Sequence, residues 1–192
     1  MRSYTLLLSA FLINNLFVST SLADYTLGAG FSNQTLTIES SANIPSMNLA
    51  AGNNEETSTA LNLFVDIYRT NFRFNGTMNI STYDDFALAI LTGSIDYLIP
   101  AGDSFNFFAG ATFGSSAQAY STTYTTQNNV ASSYVIGYQL GGIIKLNQSL
   151  TFEMGYAIRH VSLKTQFYNF PVDDTVEITE ISHAYINMGI LF

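Results

Sequence analysis

The last eleven residues, SHAYINMGILF, alternate in polarity with a period of two. Ala184, Ile186, Met188, Ile190 and Phe192 share one face. His183, Tyr185, Asn187 and Gly189 share the other, and Leu191 alone breaks the pattern. Successive side chains of a strand point to opposite sides, so this is a strand with one apolar face and one face of polar and small residues. Water is a poor surrounding for a sequence that closes mid-strand on an apolar ring, because terminal segments fray into it. The pattern asks for a non-aqueous surface beside the strand.

Seven earlier segments repeat it, at 24–32, 60–69, 72–83, 86–99, 104–120, 131–146 and 150–165. In 60–69, for example, Leu61, Leu63, Val65 and Ile67 oppose Asn62, Phe64, Asp66 and Tyr68. In the first half of 86–99 both faces are apolar, and the alternation weakens. The links at 70–71, 84–85, 100–103 and 147–149 are short, whereas 33–59, 121–130 and 166–179 are longer and polar. Strands of about ten residues suit a tilted crossing of a bilayer. An even number of them, with short turns at one rim and mostly longer loops at the other, predicts an all-β fold: an eight-stranded antiparallel up-and-down transmembrane β-barrel.

The first 23 residues have the character of a cleavable signal peptide. Arg2 supplies a positive start, 4–18 is mostly apolar, and Ser21-Leu22-Ala23 is a small-x-small cleavage site. The division expected is 1–23 signal peptide and 24–192 barrel domain. With no cysteine, neither disulfides nor a lipid anchor on sulfur is expected. Only 10% of residues are charged, and losing Arg2 takes the net charge from −8 to −9. Nucleic acid is therefore not an expected partner, since phosphate contacts need clustered Lys and Arg.

Alternation alone does not say which face points outward, because a soluble barrel would turn its apolar face in toward a ligand. The glycines favour apolar-outward. Gly28, Gly30, Gly110, Gly114, Gly137, Gly141, Gly155 and Gly189 lie on the polar face, against Gly76, Gly93 and Gly142 on the other. An eight-stranded barrel is narrow inside, and small residues relieve that crowding. Aromatics also mark strand ends on the apolar face: Tyr25, Phe72, Tyr97, Phe105, Phe152 and Phe192 at the short-turn rim, Phe31 and Tyr134 toward the other. They suit the girdles at membrane interfaces.

Charge inside the strands falls on the polar face: Asp66, Asp96 and Glu153 with Arg73, Lys145 and Arg159, three of each sign. A lumen network plugging the barrel near the short-turn rim is expected, because buried charges are tolerated only when mutually bonded. His183 is expected to join it. Bulky lumen residues, Phe64, Tyr68, Phe108 and Tyr185, argue against an open passive pore.

Taken together, the leader, the eight alternating strands and the closing aromatic resemble the small bacterial outer-membrane barrels of the OmpA/OmpX type across the whole of 24–192. The resemblance implies a monomer in the cell outer membrane, in contact with its lipid. It also implies that Ala184, Ile186, Met188, Ile190 and Phe192 form the signal read by the barrel-insertion machinery. Members of this group are anchors, adhesins, resistance factors or enzymes, so fold does not fix the role.

One enzymatic alternative follows from a second likeness. His160 and Ser162 lie on the outward parity, with Asp173, Asp174 and Glu177 downstream. This resembles the outer-membrane lipid A deacylases, in which His activates a Ser nucleophile and an acid orients the His. Leu163 stands where that family carries Asn after the Ser. The plainer reading is that the strand leaves the membrane at His160. Glu39, Glu55, Glu56, Asp84, Asp85 and Glu180 add to an acidic outer rim opposed by Lys164. Carboxylates suit Ca²⁺, yet no spacing matches a calcium loop. The leading expectation is a non-enzymatic membrane protein without a cofactor, meeting a surface partner through the polar stretch 33–59.

Overall fold

The computed structural model describes residues 24–41, 50–120, 130–167 and 174–192. The expected signal peptide lies outside the described residues. Eight strands follow in order: β1 (Asp24–Ser40), β2 (Gly52–Arg69), β3 (Phe72–Thr82), β4 (Phe86–Pro100), β5 (Phe105–Tyr120), β6 (Val130–Lys145), β7 (Leu150–Phe167) and β8 (Asp174–Leu191). Each pairs antiparallel with its neighbour in sequence, and β8 pairs with β1 to close an all-β barrel. The Phe192 amide reaches the Tyr25 carbonyl oxygen at 2.8 Å, so closure extends to the short-turn rim.

Along the wall the sidedness is constant, while the chemistry reverses partway up. In β1 the even-numbered residues Thr26 to Ser40 face inward. Below Asn33 the outward residues are apolar, with Leu27 and Phe31 at 60% and 59% exposure. Above it they are Asn33, Thr35, Thr37 and Glu39, while the inward Leu36 and Ile38 are buried. The lower half is built for lipid outside and polar groups inside. The upper half is built like a water-soluble protein.

This reversal corrects the expected boundaries. Residues 33–40 and 52–59, read as part of a loop, are strand, paired from Ser40↔Gly52 downward. β7 continues to Phe167 and β8 starts at Asp174, so much of the expected 166–179 loop is strand as well. Glu39, Glu55, Glu56, Glu177 and Glu180 thus stand on rigid walls. Asp84 and Asp85 occupy the β3–β4 turn, and Asp173 lies outside the described residues.

The upper half is filled by an apolar core. Leu36 and Ile38 from β1, Phe86, Leu88 and Ile90 from β4, Leu163 and Phe167 from β7, and Val176, Ile178 and Ile181 from β8 pack there with Tyr120. Aromatic rings bridge the interior, Phe86 to Tyr120 at 5.1 Å and Tyr120 to Phe167 at 5.1 Å. The register of β8 shifts against both neighbours: from Thr37↔Glu180 to Ile38↔Ile178 on the β1 side, where β8 carries the extra residue, and from His160↔Glu180 to Leu163↔Ile178 on the β7 side, where β7 carries it. An extra residue in one strand re-aims side chains. Here it turns both Ile178 and Ile181 inward.

Pairing of β2 with β3 ends at Ala60↔Ser81, and that of β6 with β7 at Ile136↔His160. Above those levels the described wall divides into two sheets, β7–β8–β1–β2 and β4–β5–β6, facing each other across the apolar core.

Candidate functional site

The lower lumen is organised around Arg73. It sits on β3 directly opposite Asp96 of β4 and faces inward, with no exposed surface. Its Nε donates to Asp96 Oδ2 at 2.8 Å and its Nη1 to Glu153 Oε2, on β7, at 2.6 Å. Asp66 Oδ2 lies 3.7 Å from Nη1. The guanidinium also stacks 4.2 Å over the Phe108 ring. A planar guanidinium with several fixed donors can hold two carboxylates at once, which an ammonium cannot do in the same geometry.

Each acid has further donors. Gln139 Nε2 and Ser94 Oγ donate to Asp96, the former at 2.9 Å to Oδ1 and the latter at 3.2 Å to Oδ2. The Tyr185 hydroxyl donates to Glu153 at 3.0 Å. Asn75 Nδ2 and the Tyr68 hydroxyl donate to Asp66 at 2.7 and 3.2 Å. Two walls of glycine make room for the rings. At Gly28 an added Cβ would stand 2.5 Å from the Phe64 ring, and at Gly155 one would stand 2.5 Å from the Tyr185 ring.

Of the six lumen charges expected to join, four come together: Asp66, Arg73, Asp96 and Glu153. The other two do not. Arg159 lies higher, where its Nη1 donates to Asn79 Oδ1 at 2.6 Å, and Asn79 donates in turn to Asn62 at 2.6 Å. Lys145 stands at the short-turn rim, partly exposed, with Nζ 3.8 Å from Asp24. His183 is buried in the lumen, its ring 5.6 Å from that of Tyr185. Between the Arg73 cluster and the Arg159 layer lies a polar cavity of about 10 Å³, lined by Glu153, Arg159 and His183 among others. That is room for about one water molecule. With the apolar core above, the lumen is closed at three levels.

On the outside of β7, His160, Ser162 and Lys164 project above the apolar belt. Ser162 Oγ donates to Glu177 Oε1 at 2.6 Å, and Lys164 Nζ lies 3.1 Å from the same carboxylate. His160 Nδ1 lies 3.6 Å from Glu180 Oε2. The hydroxyl proton of Ser162 therefore goes to a carboxylate, and His160 is engaged with a second one. A Ser nucleophile needs its proton taken by the imidazole. The Ser162 bond and Lys164 hold the Glu177 carboxyl below its ordinary range. Among the described residues, no group of three His, Cys, Asp or Glu is placed to hold a metal ion.

The last of the acidic residues turns inward. Glu56 sits at the top of β2 over the apolar core, and its Oε2 has no hydrogen-bond partner among the described residues. Burial, with repulsion from Asp85 and Asp84, raises its pKa above the ordinary carboxylate range. A raised folded-state pKa means that folding favours the protonated form. That stability is fully present below the unfolded pKa and is lost as pH rises through the folded one. Glu56→Gln is accordingly expected to raise the thermal midpoint at neutral pH, with the gain vanishing in acid. Melts followed by circular dichroism at both pH values check this, and a lower midpoint at neutral pH would contradict it.

The fold and its lipid-facing belt define a class: an eight-stranded membrane barrel of the Gram-negative outer-membrane type, with a plugged lumen. No protein-family model and no curated protein matches the chain. Solved structures do match it. Neisserial surface protein A aligns over 90% of this chain and 100% of its own, with a TM-score of 0.60 at 12% identity. The outer membrane protein OprG from Pseudomonas aeruginosa covers 91% of this chain and 98% of its own, with a TM-score of 0.59 at 12% identity. Ail, the attachment invasion locus protein of Yersinia pestis, solved in complex with the heparin analogue sucrose octasulfate, covers 90% and 100%, with a TM-score of 0.51 at 9% identity. At these identities the likeness concerns the fold.

Proposed function

We propose that this chain is a non-enzymatic outer-membrane barrel that presents a rigid polar sheet to the cell exterior for contact with other molecules. The observation that carries this is the length of the walls. β1, β2, β7 and β8 run to 17, 18, 18 and 18 residues. A bilayer crossing takes about 9–11 residues of tilted strand. Several residues of each strand therefore stand clear of the lipid, and their outward side chains are Thr, Asn, Ser, Glu, Gln, His and Lys. An apolar core stiffens this projection from within. We further propose that Ala184, Ile186, Met188, Ile190 and Phe192 serve as the insertion signal, and that the Arg73 cluster has a structural role.

The closed lumen supports an anchor over a pore, and the engagement of Ser162 with Glu177 supports an inert outer face over a lipid hydrolase. In a planar bilayer the purified protein is expected to give no current steps. Lipid A from cells carrying it is expected to keep its mass. Loss of an acyl chain that disappears with Ser162→Ala would reassign the protein to the enzymes, and steady conductance would reassign it to the pores.

A further inference from the structure

We infer that the small lumen cavity between Arg159 and the Arg73 cluster is a binding site for one monovalent inorganic anion of chloride size, held as the counterion of Arg159.

Arg159 is a buried cation without a carboxylate. It is only 2% exposed. Its one side-chain hydrogen bond among the described residues runs from Nη1 to the amide oxygen of Asn79. Its Nε has no partner among them. The ion pairs inside the lumen all belong to Arg73. Glu153, the one acid of β7, lies six residues below Arg159, and its two oxygens accept from Arg73 and from Tyr185. A charge taken out of water is costly unless an opposite charge accompanies it.

The hydrogen bonds of the lining say which sign is missing. Arg159 heads a chain of amides: Asn79 donates to Asn62 at 2.6 Å, and Asn62 donates to Asn187 at 3.2 Å. Each amide oxygen along it already accepts, and the chain ends on the amide nitrogen of Asn187, a donor. Asn75 Oδ1 is likewise engaged, by the Thr77 hydroxyl at 2.7 Å. Arg159, His183 and Asn187 line the cavity together. An imidazole always keeps at least one N–H, and a guanidinium keeps all of its own. The walls therefore offer donors and a positive charge. A water molecule seeks acceptors for its two hydrogens as well as a donor, whereas an anion asks only for donors.

Size narrows the class. At about 10 Å³ the cavity admits one small particle, which excludes sulfate, phosphate and organic acids. Chloride is only slightly wider than water, and amide side chains can shift by that difference. The excess of acid around Arg73 draws the anion to the upper end, beside Arg159. With Arg73 below and the apolar core above, the ion is taken up as the barrel closes.

The test uses the full chain refolded in neutral phosphatidylcholine vesicles, in sodium chloride or in sodium gluconate of equal ionic strength. An ion that binds only the folded state stabilises it by mass action. The unfolding equilibrium constant in urea is expected to be at least tenfold smaller in chloride, with bromide equally effective. Arg159→Met removes the charge at similar volume and is expected to unfold alike in both salts. In crystals grown in bromide, an anomalous peak is expected in the cavity beside Arg159. Equal unfolding of the parent in chloride and gluconate overturns the site. The same chloride effect in Arg159→Met does so too, since it marks a general salt effect. Bromide peaks confined to the protein surface mean an adventitious ion only, and that result overturns the site even where Arg159→Met fails to fold.

Discussion

Arg73→Met is expected to destabilise the barrel by about 3–5 kcal/mol, the scale for removing one partner of a buried ion pair. Three carboxylates, Asp66, Asp96 and Glu153, would then face one another with no cation among them. Methionine roughly fills the volume, so the loss reports charge rather than a void. Arg73→Lys should recover only part of it, because an ammonium cannot reach Asp96 and Glu153 together or stack on Phe108 as a guanidinium does. Asp66→Asn should cost much less than Glu153→Gln, since its oxygen stands 3.7 Å from Arg73 against 2.6 Å for Glu153. Urea titration of the refolded protein in lipid vesicles gives each value. Equal stability of Arg73→Met and the parent would show that the cluster contributes nothing to holding the barrel together.

The second large effect lies where no lipid reaches. Leu163→Ala, at a fully buried position of the upper core, is expected to cost about 3 kcal/mol, the usual scale for a Leu truncated inside a packed interior. Leu140→Ala serves as the contrast. Leu140 is half exposed on the lipid-facing belt, where acyl chains can close over the gap. If the two variants unfold at the same urea concentration, the upper half is not packed as a core. A Leu163→Ala protein that still inserts but loses its upper amide protection would locate the damage to the extramembrane sheets.

Much of the lower barrel was legible because lipid imposes a single rule on every wall: apolar residues outward at alternate positions. Eight segments obeying it gave the strand number, and the parity of Asp66, Arg73, Asp96 and Glu153 placed all four in the lumen. Arg159 illustrates a limit. It lies six residues beyond Glu153 on β7, roughly 20 Å along a strand at about 3.3 Å per residue, so it could not reach Arg73. Lys145 pairs with Thr151 at the rim, below Glu153, and finds water and Asp24 instead. Sharing a face was a weaker constraint than sharing a height.

The upper half escapes this rule, because no lipid surrounds it and its apolar residues turn inward. The run Thr35-Leu36-Thr37-Ile38-Glu39 alternates as cleanly as any membrane segment, but with the polar set outward. The one visible sign was the first half of β4. Phe86, Leu88 and Ile90 made both of its faces apolar, one side meeting lipid and the other the core. Residues 52–59 had no such sign. They contain one apolar residue at most in any alternation, and they become strand because β1 offers an edge to pair with. The pairing of Ser162 with Glu177 was likewise hidden, since it depends on how β7 and β8 align across a bulge.

The reversal of chemistry within a continuous wall fixes how deep the barrel sits. At one level Phe31, Leu61 and Ile80 line up across β1, β2 and β3, all facing outward and apolar. One residue pair higher, Asn33 and Thr59 face outward and are polar. Raising the molecule by that step, about 7 Å along the strands, would bring the ring of Phe31 into water. Lowering it would push Asn33 and Thr59 into hydrocarbon, where unpaired polar groups are costly. The wall therefore carries its own waterline, and the height of everything above it is set by the barrel itself.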